Sequence, residues 1–177
     1  MIYNIRQWLN DIKEVLTILP ELNSLEGKSV LITGVSGLIC SALTDVLIHY
    51  NEMHKRKIRI IAAGRSEERM RARFGFAMDK DYIQYVQYNA ALTDNQFTFP
   101  CDYIIHGASN AFPEIIMREP VETMLGNFIG MKYLLDYARR SGTKKILYVS
   151  SSEVYGKKEG DALFLENEYG YIDLLDF

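Results

Sequence analysis

Short apolar runs alternate with longer amphipathic segments along this chain, and this alternation constrains the fold more than any other feature. The runs are rich in β-branched and aromatic residues, and they read KSVLITG, KIRIIAAG, YIQYVQY, CDYIIHGAS and KKILYVSSS. Each has the length and composition of a strand. Parallel strands need crossover connections, which cover both faces of the sheet. The pattern therefore predicts the α/β class, with a doubly wound parallel sheet of about five strands.

Two long segments between these strands have the periodicity of helices. Apolar residues recur at intervals of three and four positions, so that each set forms a stripe along one helical face. The first stripe comprises Ile39, Ala42, Leu43, Val46, Leu47 and Tyr50, and the second comprises Val121, Met124, Phe128, Met131, Leu135 and Ala138. A short basic helix is predicted for RSEERMRARF, between the second and third strands.

An extra amphipathic helix is predicted before the first strand. Its apolar stripe comprises Ile2, Ile5, Leu9, Ile12, Leu16 and Ile18/Leu19. Pro20 ends the helix, and ELNSLEGK is predicted to be a loop. Asp11 and Lys13 are opposite in charge, which favours a helix that covers the domain over one that binds a membrane surface or a partner. We expect residues 1–26 to form this helix and linker, and residues 27–177 to form the sheet domain.

Composition excludes several classes of function. A chain of 177 residues with 48% hydrophobic and 24% charged residues is expected to form one globular domain. A net charge of -3 and a pI near 5.7 provide no basic field for nucleic acid. Cys40 and Cys101 lack the spacing of a metal site, and no apolar stretch approaches the roughly 18 residues of a membrane span. We expect a reduced, cytoplasmic chain that binds no metal, nucleic acid or membrane.

A glycine loop, TGVSGLIC, follows the first strand directly. Gly34 and Gly37 stand at the start of a predicted helix, where backbone N–H groups and the helix dipole favour an anion such as a pyrophosphate. Two glycines in this place also suit an ordinary strand-to-helix turn. The position of the loop in the first βα unit of a doubly wound pattern favours dinucleotide binding.

Four motifs resemble the extended branch of the short-chain dehydrogenase/reductase superfamily, in the right order from about Lys28 to Gly156. The glycine loop is similar to TGxxGxxG, HGAS to H-x-A-A, NFIGMKYLLDYAR to the N-x-x-G-T helix, and SSSEVYG to the serine/threonine motif after the fifth strand. Cys40 departs from the pattern, because it replaces the third glycine. A small apolar side chain there is expected to displace the helix slightly and to weaken binding without abolishing it.

The resemblance implies a Rossmann-like fold and a nucleotide-sugar epimerase, dehydratase or decarboxylase that acts by transient hydride transfer with NAD or NADP. The residues implied for cofactor binding are Gly34, Ser36, Gly37, Leu38, Ile39, Arg65, Asn89, Ala90, His106, Gly107 and Ala108. Members that bind NAD usually have an aspartate where this chain has Gly64 and Arg65. Arg65 suits the 2′-phosphate of NADP, but it is equally consistent with a solvated arginine. Both cofactors stay open, with a slight preference for NADP.

The same resemblance implies a catalytic edge after the fifth strand. Ser151 matches the catalytic hydroxyl residue, and Ser152 and Glu153 fall where acid–base or substrate-contacting residues stand. Glu153 favours a dehydratase or decarboxylase over a simple epimerase, although a glutamate exposed in a loop is as consistent. His106, at a strand end, is more consistent with a hydrogen-bonded structural residue than with a base.

The family's catalytic Tyr-x-x-x-Lys pair has no counterpart in this sequence. None of the 12 tyrosines is followed by a lysine four positions later. ENEYGYIDLLDF resembles the segment that leads into that pair, so we expect an N-terminal portion of a longer enzyme, inactive alone and truncated after about five strands. The implied substrate is a nucleotide sugar and the implied parent protein a homodimer. The alternative, a non-catalytic dinucleotide sensor or interaction module, has no need of Ser151 and Glu153.

Overall fold

The computed structural model describes residues 5–157, 160 and 163–172. The helices are α1 (Arg6–Ile18), α2 (Leu38–Met53), α3 (Glu67–Phe74), α4 (Pro113–Arg118) and α5 (Pro120–Ser141). The strands are β1 (Ser29–Thr33), β2 (Arg59–Gly64), β3 (Ile83–Gln87), β4 (Tyr103–His106) and β5 (Lys145–Tyr148). These elements confirm the predicted strands and helices, and α4 is an element that the sequence pattern does not predict.

One predicted loop is helical. Residues Pro20–Leu25 form a 3-10 helix between α1 and β1. Pro20 is the first residue of this 3-10 helix, where the fixed φ of proline suits a helical turn and the missing N–H is not needed. The proline therefore ends α1 as predicted and also starts the next turn.

All five strands are parallel and form one sheet in the order β3-β2-β1-β4-β5. This order confirms the predicted α/β class and doubly wound sheet. The chain proceeds from β1 outward to β3 and then returns to the other side of β1 with β4. The direction of winding therefore reverses between β1 and β4, and ligands bind at such a switch point, outside the carboxyl ends of the strands.

Helices cover both faces of the sheet. On one face, α1, α2 and α3 pack over side chains that include Ile32 and Ile60. On the other face, α5 packs through Leu134 over Leu31 and Ile104. These five side chains are at most 1% exposed. Complete burial of each such side chain contributes about 1.5–3 kcal/mol to folding, so the two faces supply most of the stability.

The buried face of α2 differs from the predicted stripe. Ile39 and Leu43 are exposed, whereas the polar residue Asp45 is fully buried. Asp45 forms an ion pair with Arg73 of α3 and accepts a hydrogen bond from Nε1 of Trp8, 3.0 Å from its Oδ2. The buried charge is thus compensated by neighbours from two other helices, which a pattern of apolar residues cannot reveal.

The α1 helix packs on α2 with a narrower apolar face than predicted. Ile12 is buried, whereas Ile5 and Ile18 are 53% and 64% exposed. Ile2, the first residue of the predicted stripe, lies outside the described residues. The helix is therefore attached mainly through its middle turns and the hydrogen bond of Trp8.

The buried face of α5 also differs from the predicted stripe. Met124 and Phe128 are 62% and 70% exposed. Gly126 and Gly130 are buried instead and lie nearest the turn after β3. Gly130 allows the helix to approach the turn after β3 closely, and the apolar residue Leu134 packs on the sheet one turn further along.

The described part of the chain contains no helix that is long and apolar enough to span a membrane. Within the same residues, no three His, Cys, Asp or Glu side chains are grouped in a way that could hold a metal ion.

Candidate functional site

A cavity of about 940 Å³ lies at the carboxyl edge of the sheet, at the switch point between β1 and β4. The turns after β1, β2, β3 and β4 form its walls, and the first half of α5 closes one side. Eight residues predicted to bind a cofactor line it: Gly34, Ser36, Gly37, Arg65, Asn89, Ala90, Gly107 and Ala108. The volume suits a small-molecule ligand or cofactor.

The turn after β1 presents backbone N–H groups to the cavity. Gly34 has a φ of 69°, and a Cβ there would lie 2.5 Å from the carbonyl oxygen of Gly107, so only glycine fits. Gly37 donates its N–H to the carbonyl of Gly34 at 2.8 Å and begins α2 without a side-chain cap from the described residues. The N–H groups of the first turn and the helix dipole therefore form a site for an anion.

Two arginines line the cavity where β2 ends. Arg65 follows the strand, and Arg69 lies within the first turn of α3. Ser66 caps α3, because its Oγ accepts a hydrogen bond from the Arg69 N–H at 3.2 Å. Neither guanidinium forms an ion pair with another described residue, so both are available to an anionic ligand. Arg69 is not predicted from the sequence, because an arginine in a short, highly charged helix is an ordinary solvated residue.

The turn after β3 is held in shape by one asparagine. Asn95 Oδ1 accepts a hydrogen bond from the Asn89 N–H at 3.0 Å. Asn95 Nδ2 donates to the carbonyl of Asn89 at 2.8 Å and to that of Leu92 at 2.7 Å. Asn95 therefore fixes the part of the cavity wall that Asn89 and Ala90 form. The sequence offers no signal for this role, because an asparagine in a polar loop is ordinary.

Helix α5 contacts the same turn through a glycine. A Cβ at Gly130 would lie 2.7 Å from the Cβ of Ala90 and 3.0 Å from the hydroxyl of Tyr88. The Tyr88 hydroxyl donates a hydrogen bond to the carbonyl of Gly130 at 3.2 Å. Gly130 is the glycine of the N-x-x-G resemblance, and its role here is to bring α5 against the wall of the cavity.

His106, predicted to bind the cofactor, lies behind the cavity and not in its lining. It is fully buried, and its Nδ1 is 2.6 Å from Oγ1 of Thr33 on the neighbouring strand. Its ring also stacks on Tyr148, with 5.5 Å between ring centroids. Burial lowers the pKa of His106 to about 4, so the ring is neutral at pH 7. These contacts support the structural interpretation of this histidine.

The remaining predicted residues lie at the same edge of the sheet but outside the described lining of the cavity. Leu38 and Ile39 begin α2 and are 87% and 56% exposed. Residues Ser152–Tyr155 form a 3-10 helix after β5, capped by Ser151, whose Oγ accepts the N–H of Glu153 at 3.2 Å. The side chains of 151–153 are exposed to solvent.

Comparison with known families agrees with this geometry. A model of the NAD dependent epimerase/dehydratase family matches residues 30–171. The chain belongs to this family. The match confirms the resemblance to NAD(P)-dependent nucleotide-sugar epimerases and dehydratases that the four motifs indicate.

Several members and relatives of this family are similar to the chain over most of its length. UDP-glucuronic acid decarboxylase 1 of Danio rerio is 29% identical over 143 residues, which cover 78% of this chain and 31% of that protein. Epimerase Mth375 of Methanothermobacter thermautotrophicus has a TM-score of 0.69 at 21% identity, over 88% of this chain and 45% of that one. MoeE5 in complex with UDP-glucose and NAD has a TM-score of 0.60 at 18% identity, over 81% and 42%. The chain thus spans about a third of the length of the decarboxylase.

Proposed function

We propose that this chain is the cofactor-binding part of an NAD(P)-dependent nucleotide-sugar epimerase, dehydratase or decarboxylase. The observation that carries the proposal is the cavity at the switch point, whose lining includes Gly34 and Gly37 beside the start of α2, where no side-chain cap from the described residues is present. Two similar proteins support it, since one is a UDP-glucuronic acid decarboxylase and the other holds UDP-glucose and NAD. A bound nicotinamide supplies a hydride acceptor that can later return the hydride to the sugar.

The lining residues fit the parts of a dinucleotide. We assign the pyrophosphate to the N–H groups around Gly34 and Gly37, because no Cβ there blocks its approach. The adenine is assigned to the turn at Asn89 and Ala90, which Asn95 holds in shape. Each assignment uses residues that the structure brings to one cavity from separate turns of the chain.

The substrate is assigned to the exposed edge after β5. Ser151 would bridge the substrate hydroxyl and the proton acceptor, and Glu153 would contact the substrate or transfer a proton. No tyrosine in this sequence has a lysine four positions later, so this chain alone is expected to turn over no nucleotide sugar. Absence of a general base removes about 10²- to 10⁴-fold of rate.

Titration calorimetry of the folded chain with NAD, NADP and ADP-ribose tests the proposal. Gly37→Val should weaken all three ligands at least about tenfold, because a Cβ at this position is already 3.1 Å from the Gly34 carbonyl and its methyl groups would cover the helix start. Thr17→Val on α1, outside the cavity lining, serves as the control and should bind like wild type. Absence of heat from every ligand, on a sample that unfolds cooperatively, would disprove the function.

We further propose that the site slightly prefers NADP to NAD. Arg65 and Arg69 supply two cations that face the cavity beside β2, where the ribose of the adenosine half is expected. Arg65→Ala should weaken NADP by about 1.5 kcal/mol, roughly tenfold, and leave NAD nearly unchanged. Arg71→Ala is the control, since Arg71 lies on α3 outside the cavity lining and pairs with Glu67. Equal losses of both cofactors in Arg65→Ala would refute the assignment.

A further inference from the structure

The side chain of Cys40 on α2 fills the space that a side chain at Gly107, in the turn after β4, would need. A Cβ built on Gly107 would lie less than 3.0 Å from Sγ of Cys40, closer than real Cβ atoms approach other heavy atoms. The other neighbours of that Cβ, the Thr33 carbonyl oxygen and a methyl group of Val149, are at 3.6 Å and 3.7 Å. Of the three nearest atoms, the Cys40 sulfur is therefore the one that a side chain at position 107 would have to displace.

The backbone around this contact cannot move apart freely. Gly107 donates its N–H to the carbonyl of Thr33 at 3.2 Å. On the cavity side, a Cβ at Gly34 would lie 2.5 Å from the Gly107 oxygen, so the two turns already touch. Cys40 is only 3% exposed and belongs to the core beneath α2. An added methyl group at 107 requires the Cys40 sulfur to turn aside within the core or the start of α2 to move away from β4.

The start of α2 has regular helical geometry despite the cysteine. Gly37 N–H bonds to the Gly34 carbonyl at 2.8 Å, and Ser41 N–H bonds to the Gly37 carbonyl at 2.9 Å. Gly107 leaves space for the Cys40 sulfur at this point; the expected slight displacement of the helix and weaker binding stay predictions.

We propose that Cys40 and Gly107 form a complementary pair that sets the distance between the start of α2 and the turn after β4, with Gly107 as a positioning residue for the pyrophosphate site. The inference rests on the proposed function, because it concerns affinity for the same dinucleotide. It assigns to Gly107 a role that its resemblance to the variable position of H-x-A-A does not indicate.

A double-mutant cycle with ADP-ribose as the probe tests the pair. Gly107→Ala should weaken binding at least about tenfold, because the methyl group displaces the helix start, whereas Cys40→Gly should change affinity less than about threefold. The double variant should bind within about threefold of wild type, since the methyl group then occupies the space of the sulfur. Cys101→Ala, at the opposite end of β4, is the control and should lower the unfolding temperature without changing affinity.

Measuring the unfolding temperature of the same proteins separates packing from positioning. Recovery of the unfolding temperature without recovery of affinity in the double variant would overturn the positioning role, as would wild-type affinity in Gly107→Ala. If Gly107→Ala does not fold, the double variant should fold and bind, and its failure to do so would overturn the pairing. Absence of ADP-ribose binding by wild type would instead refute the proposed function. In that case, recovery of the unfolding temperature in the double variant would still show that Cys40 and Gly107 pack as a pair.

Discussion

His106 is a titratable residue that the fold holds in its neutral form. Its Nε2 has no hydrogen-bond partner among the described residues, and Tyr88 meets its ring edge-on. A proton added to this ring would place a charge in the interior without a described anion beside it. The residue therefore links the stability of the sheet edge to pH.

Acid should destabilise the protein through His106. Between pH 6.5 and about pH 4 the unfolded chain binds a proton that the folded chain does not, so the stability present above pH 6.5 is lost as pH falls towards the folded pKa. The free energy of unfolding should drop by about 2 kcal/mol between about pH 7 and about pH 5 from this residue. Urea unfolding at the two pH values measures the drop.

His106→Gln should remove most of this pH dependence. The backbone N–H of Ser29 lowers the pKa of Asp102, which acts in the same direction but only below this pH window, as pH falls through the ordinary aspartate pKa. His54→Gln, a partly exposed histidine after α2, is the matched control and should retain the wild-type drop. Equal drops in wild type and His106→Gln would show that the buried ring is not the source.

Single residues of the site differ in how far the sequence reveals them. Arg65 and Gly37 are predictable, because each stands at a fixed offset from the end of an apolar strand. Asn95 is not, because its hydrogen bonds depend on the path of a loop that has no periodicity. The contact of Gly107 with Cys40 is equally hidden, since it joins turns that are brought together only by the pairing of β1 with β4.

Helix α5 contains two glycines one turn apart, Gly126 and Gly130, that differ in how closely other residues approach them. Gly130 touches Ala90 and Tyr88, whereas a Cβ at Gly126 would have its nearest neighbour, the Ala91 nitrogen, at 4.0 Å. Gly126→Ala should therefore stabilise the protein by about 0.5–1 kcal/mol, the usual gain of alanine in a helix. Gly130→Ala should destabilise it by about 1–3 kcal/mol, because the helix must move away from the turn.

Chemical denaturation of both variants checks this pair. The two changes are the same in chemistry and lie in the same helix, so helix propensity cancels in their comparison. Equal effects of the two substitutions would mean that α5 does not depend on close approach at Gly130.

Strands and helices are predicted better than the faces that they bury. Strand boundaries follow from local composition, and the parallel arrangement follows from the helical connections between the strands. The orientation of α5 does not, because the apolar residues Met124 and Phe128 lie on the outer face while glycines lie on the inner one. Apolar periodicity indicates a helix but does not say which partner it faces.

We predict that the chain associates with a second copy of itself through the outer face of α5. Exposed apolar side chains recur along it at intervals of three, four and seven, which is the spacing of paired helices: Val121, Met124, Phe128 and Leu135. Each of the two copies would contribute the same stripe to the interface. Sedimentation velocity should show concentration-dependent association that Phe128→Glu weakens.

Arg139→Glu, an exposed change at the end of the same helix, is the control for added negative charge and should associate more strongly than Phe128→Glu. A wild-type protein that stays monomeric at all concentrations would contradict association through this stripe.

The pairing of β1 with β4 is expected to form late in folding. Thr33 and His106 lie side by side in the sheet but 73 positions apart in the chain. Such distant pairing is slow, because the entropy of closing the loop is lost before any contact forms. The cavity cannot form until β1 pairs with β4, since Gly34 follows β1 and Gly107 follows β4.

A dinucleotide should therefore not bind until folding is nearly complete. Stopped-flow measurements with ADP-ribose should show an unchanged refolding rate and an unfolding rate that falls with ligand saturation. Faster refolding with ligand would mean that β1 and β4 are already paired in the transition state. With an unchanged refolding rate, the ligand prolongs the lifetime of the folded chain without helping to create it.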